Sequence, residues 1–240
     1  MNTNPAPLLN PVFVALDTTD PDYARQLAER VRADVGGLKL GLEFFNAHGP
    51  DGVRPFLKMG VPVFLDLKYH DIPNTVAGAC RAAASLGVSI MNLHAQGGAA
   101  MMRAGLDAVK SVSPSTKLIA VTMLTSLSDE DLPSVGLTPP VADQVLRLAS
   151  LTQQCGLDGV VCSAHEIAIL RKELGPDFLL VVPGIRPAGA ATGDQRRVME
   201  PAEARDAGAN ILVIGRPITA APDPAQAARD IAQSLTISVS

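Results

Sequence analysis

Short apolar runs alternate with longer amphipathic stretches from one end of the sequence to the other. The runs cover residues 12–16, 37–41, 61–67, 89–94, 117–123, 159–162, 178–182 and 211–215. Most are nearly continuous in apolar side chains, the pattern of strands buried on both faces of a parallel sheet. Helical patterns lie between them at 21–33, 75–86, 99–110, 141–154, 164–174 and 224–235. Ser163 is placed to cap the helix that follows it, and Pro201 can open a short helix at its first position. Gly87, Gly156, Gly175 and Gly208 follow helical patterns where a left-handed residue is expected. Strict alternation with eight strands in 240 residues predicts an α/β fold, a single-domain (β/α)8 TIM barrel. A doubly wound open sheet also alternates, but it usually has fewer strands and often a glycine-rich phosphate loop after the first. Here Leu16-Asp17-Thr18 follows the first run, with no glycine. No charge block, linker or repeat divides the chain. The expected layout is an N-terminal extension over 1–11 and a catalytic barrel over 12–240.

Composition narrows the function classes. At 47% hydrophobic, 18% charged and a mean hydropathy of +0.21, the chain is not of the disordered class. Twenty Lys+Arg against 24 Asp+Glu give a net charge of −4, and there is no Trp and only 3% aromatic residues. Both argue against a nucleic-acid partner or a polybasic membrane contact. Cys80, Cys155 and Cys162 are an odd number at spacings that fit no zinc or redox motif, so they read as small buried hydrophobes. The first eleven residues carry no basic group ahead of their apolar positions, unlike a secretory signal. No apolar stretch approaches the roughly 18 residues of a membrane span. The expectation is a soluble, cytoplasmic protein with reduced thiols.

Barrel enzymes place their chemistry at the C-terminal ends of the strands, so the charges closing each run are the candidates. The first run ends at Asp17 and the second carries Lys39. The third ends Asp66-Leu67-Lys68-Tyr69-His70-Asp71. Period-two alternation puts Asp66 and Lys68 on one face. Lys39, Asp66, Lys68 and Asp71 alternate in sign and can neutralise one another at a site where an unpaired charge is costly. The competing reading is an ion-pair network that only fixes the barrel. His94 closes the fourth run and can support the pocket. His70 reads as a packing residue, and His48 and His165 as surface or helix positions. After the seventh run, residues 183–195 contain three glycines and two prolines, a composition that suggests a mobile lid. Gly215 and Arg216 begin the turn after the eighth run, where such barrels commonly bind phosphate. There a glycine admits backbone N–H groups to an oxyanion, and arginine adds a two-pronged cation.

These residues carry a resemblance. The segment Asp66-Leu67-Lys68-Tyr69-His70-Asp71-Ile72-Pro73-Asn74-Thr75 is similar to the catalytic signature of the orotidine 5′-phosphate decarboxylases. Further similar pieces follow in order along nearly the whole chain: FVALD at 13–17, KLG at 39–41, LTS at 124–126, PGIRP at 183–187, GDQ at 193–195 and VIGRPIT at 213–219. Met199-Glu200 departs from the usual pattern ahead of Pro201, outside the matched chemistry. The resemblance implies cofactor-free and metal-free decarboxylation of orotidine 5′-monophosphate to uridine 5′-monophosphate, in de novo pyrimidine synthesis. It implies that Lys68 donates the proton to C6 and that Asp66 lies beside the departing carboxylate. Lys39 would pair with Asp66 and reach the ribose, and Asp17 would bind a ribose hydroxyl. Asp71 and Thr75 would serve the neighbouring subunit's site in a homodimer. Thr125 and Ser126 match residues near the pyrimidine, and Pro183, Arg186, Gln195, Gly215 and Arg216 the phosphate grip and lid. Two alternatives stand beside this one. A magnesium-dependent group of sugar-phosphate decarboxylases and epimerases shares Asp66, Lys68 and Asp71, but places an acidic metal ligand where this chain has Lys39. A non-catalytic phosphate-ligand barrel would leave the charge cluster without a purpose.

Overall fold

The structure, a computed structural model, describes residues 10–187 and 199–236. Eight parallel strands close into a barrel in sequence order. They are β1 (Val12–Ala15), β2 (Gly37–Gly41), β3 (Val63–Tyr69), β4 (Ile90–His94), β5 (Lys117–Val121), β6 (Gly159–Val161), β7 (Leu179–Pro183) and β8 (Ile211–Ile214). β8 pairs with β1 through Val12↔Leu212 and Val14↔Ile214, which completes the ring. The expected barrel is therefore the observed one.

Two apolar layers account for strands that show no polar alternation. Phe13, Ala15, Phe64, Ile90, Ile119, Val181, Ile211 and Val213 fill the inside of the barrel. Val14, Leu38, Leu40, Leu65, Met91, Leu93, Leu180 and Leu212 belong to the outer layer, packed with the helices. Each strand is thus buried on both faces. Gly37 sits opposite Phe13 on β1, and a Cβ there would lie 2.3 Å from the Phe13 ring. The glycine is what allows a phenylalanine to plug the barrel floor.

The helices are α1 (Pro21–Val31), α2 (Leu42–Leu57), α3 (Pro73–Ala84), α4 (Gly98–Val112), α5 (Val141–Gln154), α6 (Ile167–Leu174), α7 (Pro201–Asp206), α8 (Arg216–Thr219) and α9 (Pro224–Thr236). Asp20 starts α1 by accepting from the backbone of Asp22 and Tyr23, a cap that contributes about 1 kcal/mol. Pro201 opens α7 as expected. Ser163 precedes a short 3₁₀ turn that leads into α6, where its backbone N–H donates to the Glu166 carboxylate at 2.7 Å. The four glycines expected after helices all have positive φ. α2 has no counterpart among the expected helices. It is two helical pieces joined at a kink, where Gly49 (φ 59°, ψ −158°) leaves the helical conformation ahead of Pro50, a pair that reads as a helix break. All three cysteines are buried.

The chain enters β1 at Val12, and positions 1–9 of the expected extension lie outside the described residues. The same holds for positions 188–195 of the expected lid. Among the described residues, no helix is long and apolar enough to cross a membrane.

Candidate active site

Lys39 is the middle residue of β2, paired with Ala15 on one side and Phe64 on the other, both in the barrel interior. Its ammonium therefore stands on an apolar floor. Nζ donates to Asp17 Oδ1 at 3.0 Å, just past β1, and lies 3.4 Å from Asp66 Oδ2. The other oxygen of Asp66, Oδ1, accepts from Lys68 Nζ at 2.6 Å and from Asn92 Nδ2 at 2.7 Å. The result is a chain of alternating charge, Asp17–Lys39–Asp66–Lys68. Its middle is sealed and its ends are open. The Lys39 and Asp66 side chains are 8% and 12% exposed, against 29% for Lys68 and 54% for Asp17. A ligand at the strand ends meets one ammonium and one carboxylate, each held by a buried partner. Gly41 leaves room for this, since a Cβ there would lie 3.0 Å from both Asp17 Oδ1 and Lys39 Nζ.

Burial would by itself depress the Lys39 ammonium, but the Asp66 and Asp17 carboxylates outweigh it and hold its pKa above the ordinary lysine value. Burial likewise pushes the Asp66 carboxyl up. The Lys39 and Lys68 charges, with hydrogen bonds from Lys68 and Asn92, outweigh that and hold it below the usual carboxylate range. Both groups are thus kept ionised at neutral pH.

The expected meeting of Asp66 and Lys68 occurs, but not through a regular pleat. Lys68 has φ 52°, the only positive φ at a non-glycine among the described residues. The β3–β4 register also slips between Leu65↔Met91 and Tyr69↔Leu93. Asn92 sits at that slip, fully buried, with its Oδ1 accepting from the Lys68 backbone N–H at 2.8 Å. Sequence reading passed over Asn92. The available signal was an amide in the middle of the apolar run Ile90-Met91-Asn92-Leu93-His94.

Asp71 corrects an expectation. It does not join this charge chain, where Asp17 supplies the second carboxylate instead. Asp71 is exposed, forms no ion pair among the described residues, and accepts from the Ile72 backbone N–H at 2.6 Å. Only two residues separate it from Lys68, but β3 ends at Tyr69 and the chain turns outward before α3. Thr75, in the first turn of α3, is exposed as well.

The remaining candidates ring the same end of the barrel. Thr125 (half-buried) and Ser126 (exposed) follow β5, and Pro183 ends β7. Arg186 is buried, with its backbone N–H donating to Met199 O at 3.0 Å and Nη1 to Ile185 O at 2.9 Å. A bridge between Ile185 and Met199 ties together the two ends of the segment that contains the expected lid. Gly215 follows β8, and Arg216, exposed, is the first residue of α8. Gln195 lies outside the described residues. His70 is exposed, with its ring centroid 5.2 Å from that of His94. His94 is half-buried at the end of β4, and its Nδ1 is buried without a hydrogen-bond partner among the described residues. His48, on α2, donates from Nε2 to the Thr19 carbonyl at 2.8 Å, and His165 is exposed.

Comparison with known proteins places this geometry among relatives. Residues 10–231 match the profile described as Orotidine 5′-phosphate decarboxylase / HUMPS family. The chain is 56% identical over 230 residues to the orotidine 5′-phosphate decarboxylase of Rhodospirillum rubrum, covering 93% of each chain. It is 52% identical over 234 residues to that of Paramagnetospirillum magneticum, covering 95% of this chain and 99% of the relative. A crystal structure of orotidine 5′-phosphate decarboxylase from Lactobacillus acidophilus superposes with a TM-score of 0.84 at 38% identity, covering 94% of this chain and 99% of that one.

Burial, followed by the nearby His70 and Lys68, lowers the His94 pKa from 6.5 to about 4. Between those values the unfolded chain holds a proton that the native ring does not, so stability falls as pH drops through that window. Denaturant unfolding between pH 7 and 4.5 is therefore expected to show a shallower loss for His94→Gln than for wild type. Equal pH slopes in the two proteins would remove His94 as the cause.

Proposed function

Because the chain belongs to the orotidine 5′-phosphate decarboxylase / HUMPS family, we infer that it converts orotidine 5′-monophosphate to uridine 5′-monophosphate and carbon dioxide, in de novo pyrimidine synthesis. The observation that carries this reading is the chain Asp17–Lys39–Asp66–Lys68, with Lys68 Nζ at its open end 2.6 Å from Asp66. The bond from C6 to the carboxyl carbon breaks heterolytically, the electron pair stays on C6, and carbon dioxide leaves. Lys68 Nζ then delivers one proton to C6. No ring carbonyl readily takes up the charge of that carbanion, so a fixed cation has to stand at the carbon itself. A preorganised charge above an apolar floor is the arrangement that makes such stabilisation large.

In this reading Asp66 lies beside the departing carboxylate, Lys39 holds Asp66 and reaches the ribose, and Asp17 binds a ribose hydroxyl. Thr125 and Ser126 face the pyrimidine. Pro183, Arg186, Gln195, Gly215 and Arg216 grip and cover the phosphate. Binding energy collected at that remote group can drive closure over the reacting carbon. No cofactor or metal is required. A divalent cation would need the carboxylates of Asp17 and Asp66, and the Lys39 ammonium already lies between them. That contact disfavours the magnesium-dependent sugar-phosphate chemistry and leaves a charge chain that a phosphate sensor would not need.

The working form is a cytoplasmic homodimer in which Asp71 and Thr75 complete the partner's site. Their exposure supports this, as does Ile72 between them, an apolar side chain left 67% exposed that a partner would cover.

The purified protein is expected to release carbon dioxide and uridine 5′-monophosphate one for one, at the same rate after exhaustive chelation. Activity lost to chelator and restored by Mg²⁺ would move the protein to the sugar-phosphate group.

Shared sites predict complementation. Lys68→Ala and Asp71→Ala homodimers should each be severely impaired. In a mixed dimer one site takes both defects and the other takes neither. Equal amounts refolded together make half of the dimers mixed, so about a quarter of wild-type activity should return. No gain over the separate mutants, with subunit exchange demonstrated, would place Asp71 in its own subunit's site.

A further inference from the structure

We infer that Asn92 is a positioning residue for the decarboxylation: its side-chain amide bridges the irregularity between β3 and β4 and holds Lys68 and Asp66 in their working geometry. The inference rests on the reading of Lys68 as the proton donor.

The register slip creates the need. From Leu65↔Met91 to Tyr69↔Leu93, β3 advances four residues while β4 advances two. The bulged residues of β3 include Asp66 and Lys68, and a bulge leaves backbone groups without their ladder partners. Asn92 lies on β4 inside that interval, facing the barrel interior opposite Ile119 of β5. Its Oδ1 takes the Lys68 backbone N–H at 2.8 Å, in place of a β4 carbonyl. Its Nδ2 donates to Asp66 Oδ1 at 2.7 Å, the same oxygen that Lys68 Nζ meets at 2.6 Å.

Both contacts bear on where the ammonium points. A left-handed backbone is strained for a long side chain, so the surrounding structure has to hold it. The accepted N–H holds Lys68 at φ 52°, and that backbone sets the direction in which its side chain leaves the strand. The donated N–H fixes the rotation of the Asp66 carboxylate, which leaves Oδ2 for Lys39. A primary amide supplies one acceptor and one donor in a rigid plane. Aspartate keeps the acceptor and loses the donor; leucine keeps the approximate volume and loses both. Asn92 is fully buried beneath these residues, so it orients the groups that meet the substrate and does not meet it itself.

The test measures kcat, KM, affinity for uridine 5′-monophosphate and thermal unfolding for Asn92→Asp and Asn92→Leu, with Lys68→Ala alongside. Asn92→Asp preserves shape and the contact to the Lys68 N–H but sets a second carboxyl against Asp66, so kcat is taken per folded molecule and read beside the melting temperature in both variants. Expected is a fall in kcat per folded molecule of about a hundredfold in both Asn92 variants, the scale of a small misplacement of a catalytic group. Product affinity should stay within about threefold, since an interaction lost only in the transition state leaves binding intact. A lowered melting temperature with kcat per folded molecule near wild type in Asn92→Asp, while Lys68→Ala is inactive, would overturn the inference and leave the reading of the site standing. A rise in KM at unchanged kcat would overturn it too. Full activity in Lys68→Ala would instead overturn the reading of the site, and this inference with it.

Discussion

One carboxylate, Asp66, is clamped between two ammonium groups at the mouth of a closed barrel, and the surrounding structure serves that contact. Taken from water alone, a carboxylate there would protonate. With Lys39 at 3.4 Å and Lys68 at 2.6 Å it stays charged. Each close pair is worth about 4 kcal/mol at 4 Å for an effective dielectric near 20, and the desolvation of the ions offsets much of this. Such a cluster adds little to stability, whereas removing one member typically costs about 3–5 kcal/mol by stranding its partner. Its presence on the catalytic rim is a functional expense that the rest of the fold carries. The two apolar layers, with Phe13 closing the floor over Gly37, are what carry it.

The clamp also divides labour between its members. Lys39 and Asp66 are buried and immobilised, while Lys68 and Asp17 are presented to a ligand. The Lys68 ammonium, proposed to meet the reacting carbon, is therefore held by Asp66, a partner that Lys39 and Asn92 hold in turn. This is preorganisation in the physical sense: the reorganisation is done during folding and not during the reaction. The elements around β7 and β8 contribute at a distance. The Ile185–Met199 bridge anchors both ends of the glycine-rich segment, and Gly215-Arg216 follows β8, the strand that pairs with β1. In the proposed reaction, phosphate held there would fix the far end of the substrate, so that the pyrimidine would meet Lys68 in one orientation.

Much of this was legible in the sequence, for identifiable reasons. Runs such as 37–41 and 211–215 are apolar on both faces because the barrel has an inner and an outer layer, and that continuity survives in one dimension. Lys39, Asp66 and Lys68 stood out because charge at the end of such a run is unfavourable without a purpose. α2 was missed because Gly49-Pro50 breaks the helix locally, while Phe44 and Phe56, buried in the core, anchor a helical piece on each side of the break. Asn92 was missed for a different reason. Its meaning lies in a two-residue slip between neighbouring strands, and no periodicity along one strand encodes a register between two. Asp71 shows the same limit from the other side. Its charge sign grouped it with the cluster, but the strand ends at Tyr69, so the turn decides where Asp71 lies.

The proposed chemistry requires an ammonium group at the end of β3, held by Asp66. This requirement can be tested by removing that group and putting it back. Lys68→Cys offers an accessible thiol, while Cys80, Cys155 and Cys162 are all buried. Alkylation with 2-bromoethylamine would convert the new thiol to a side chain of nearly lysine length ending in an amine. Expected is an inactive variant before alkylation and substantial recovery of uridine 5′-monophosphate formation after it, with wild type unaffected by the reagent. No recovery, despite stoichiometric modification of position 68 and intact product binding, would contradict it.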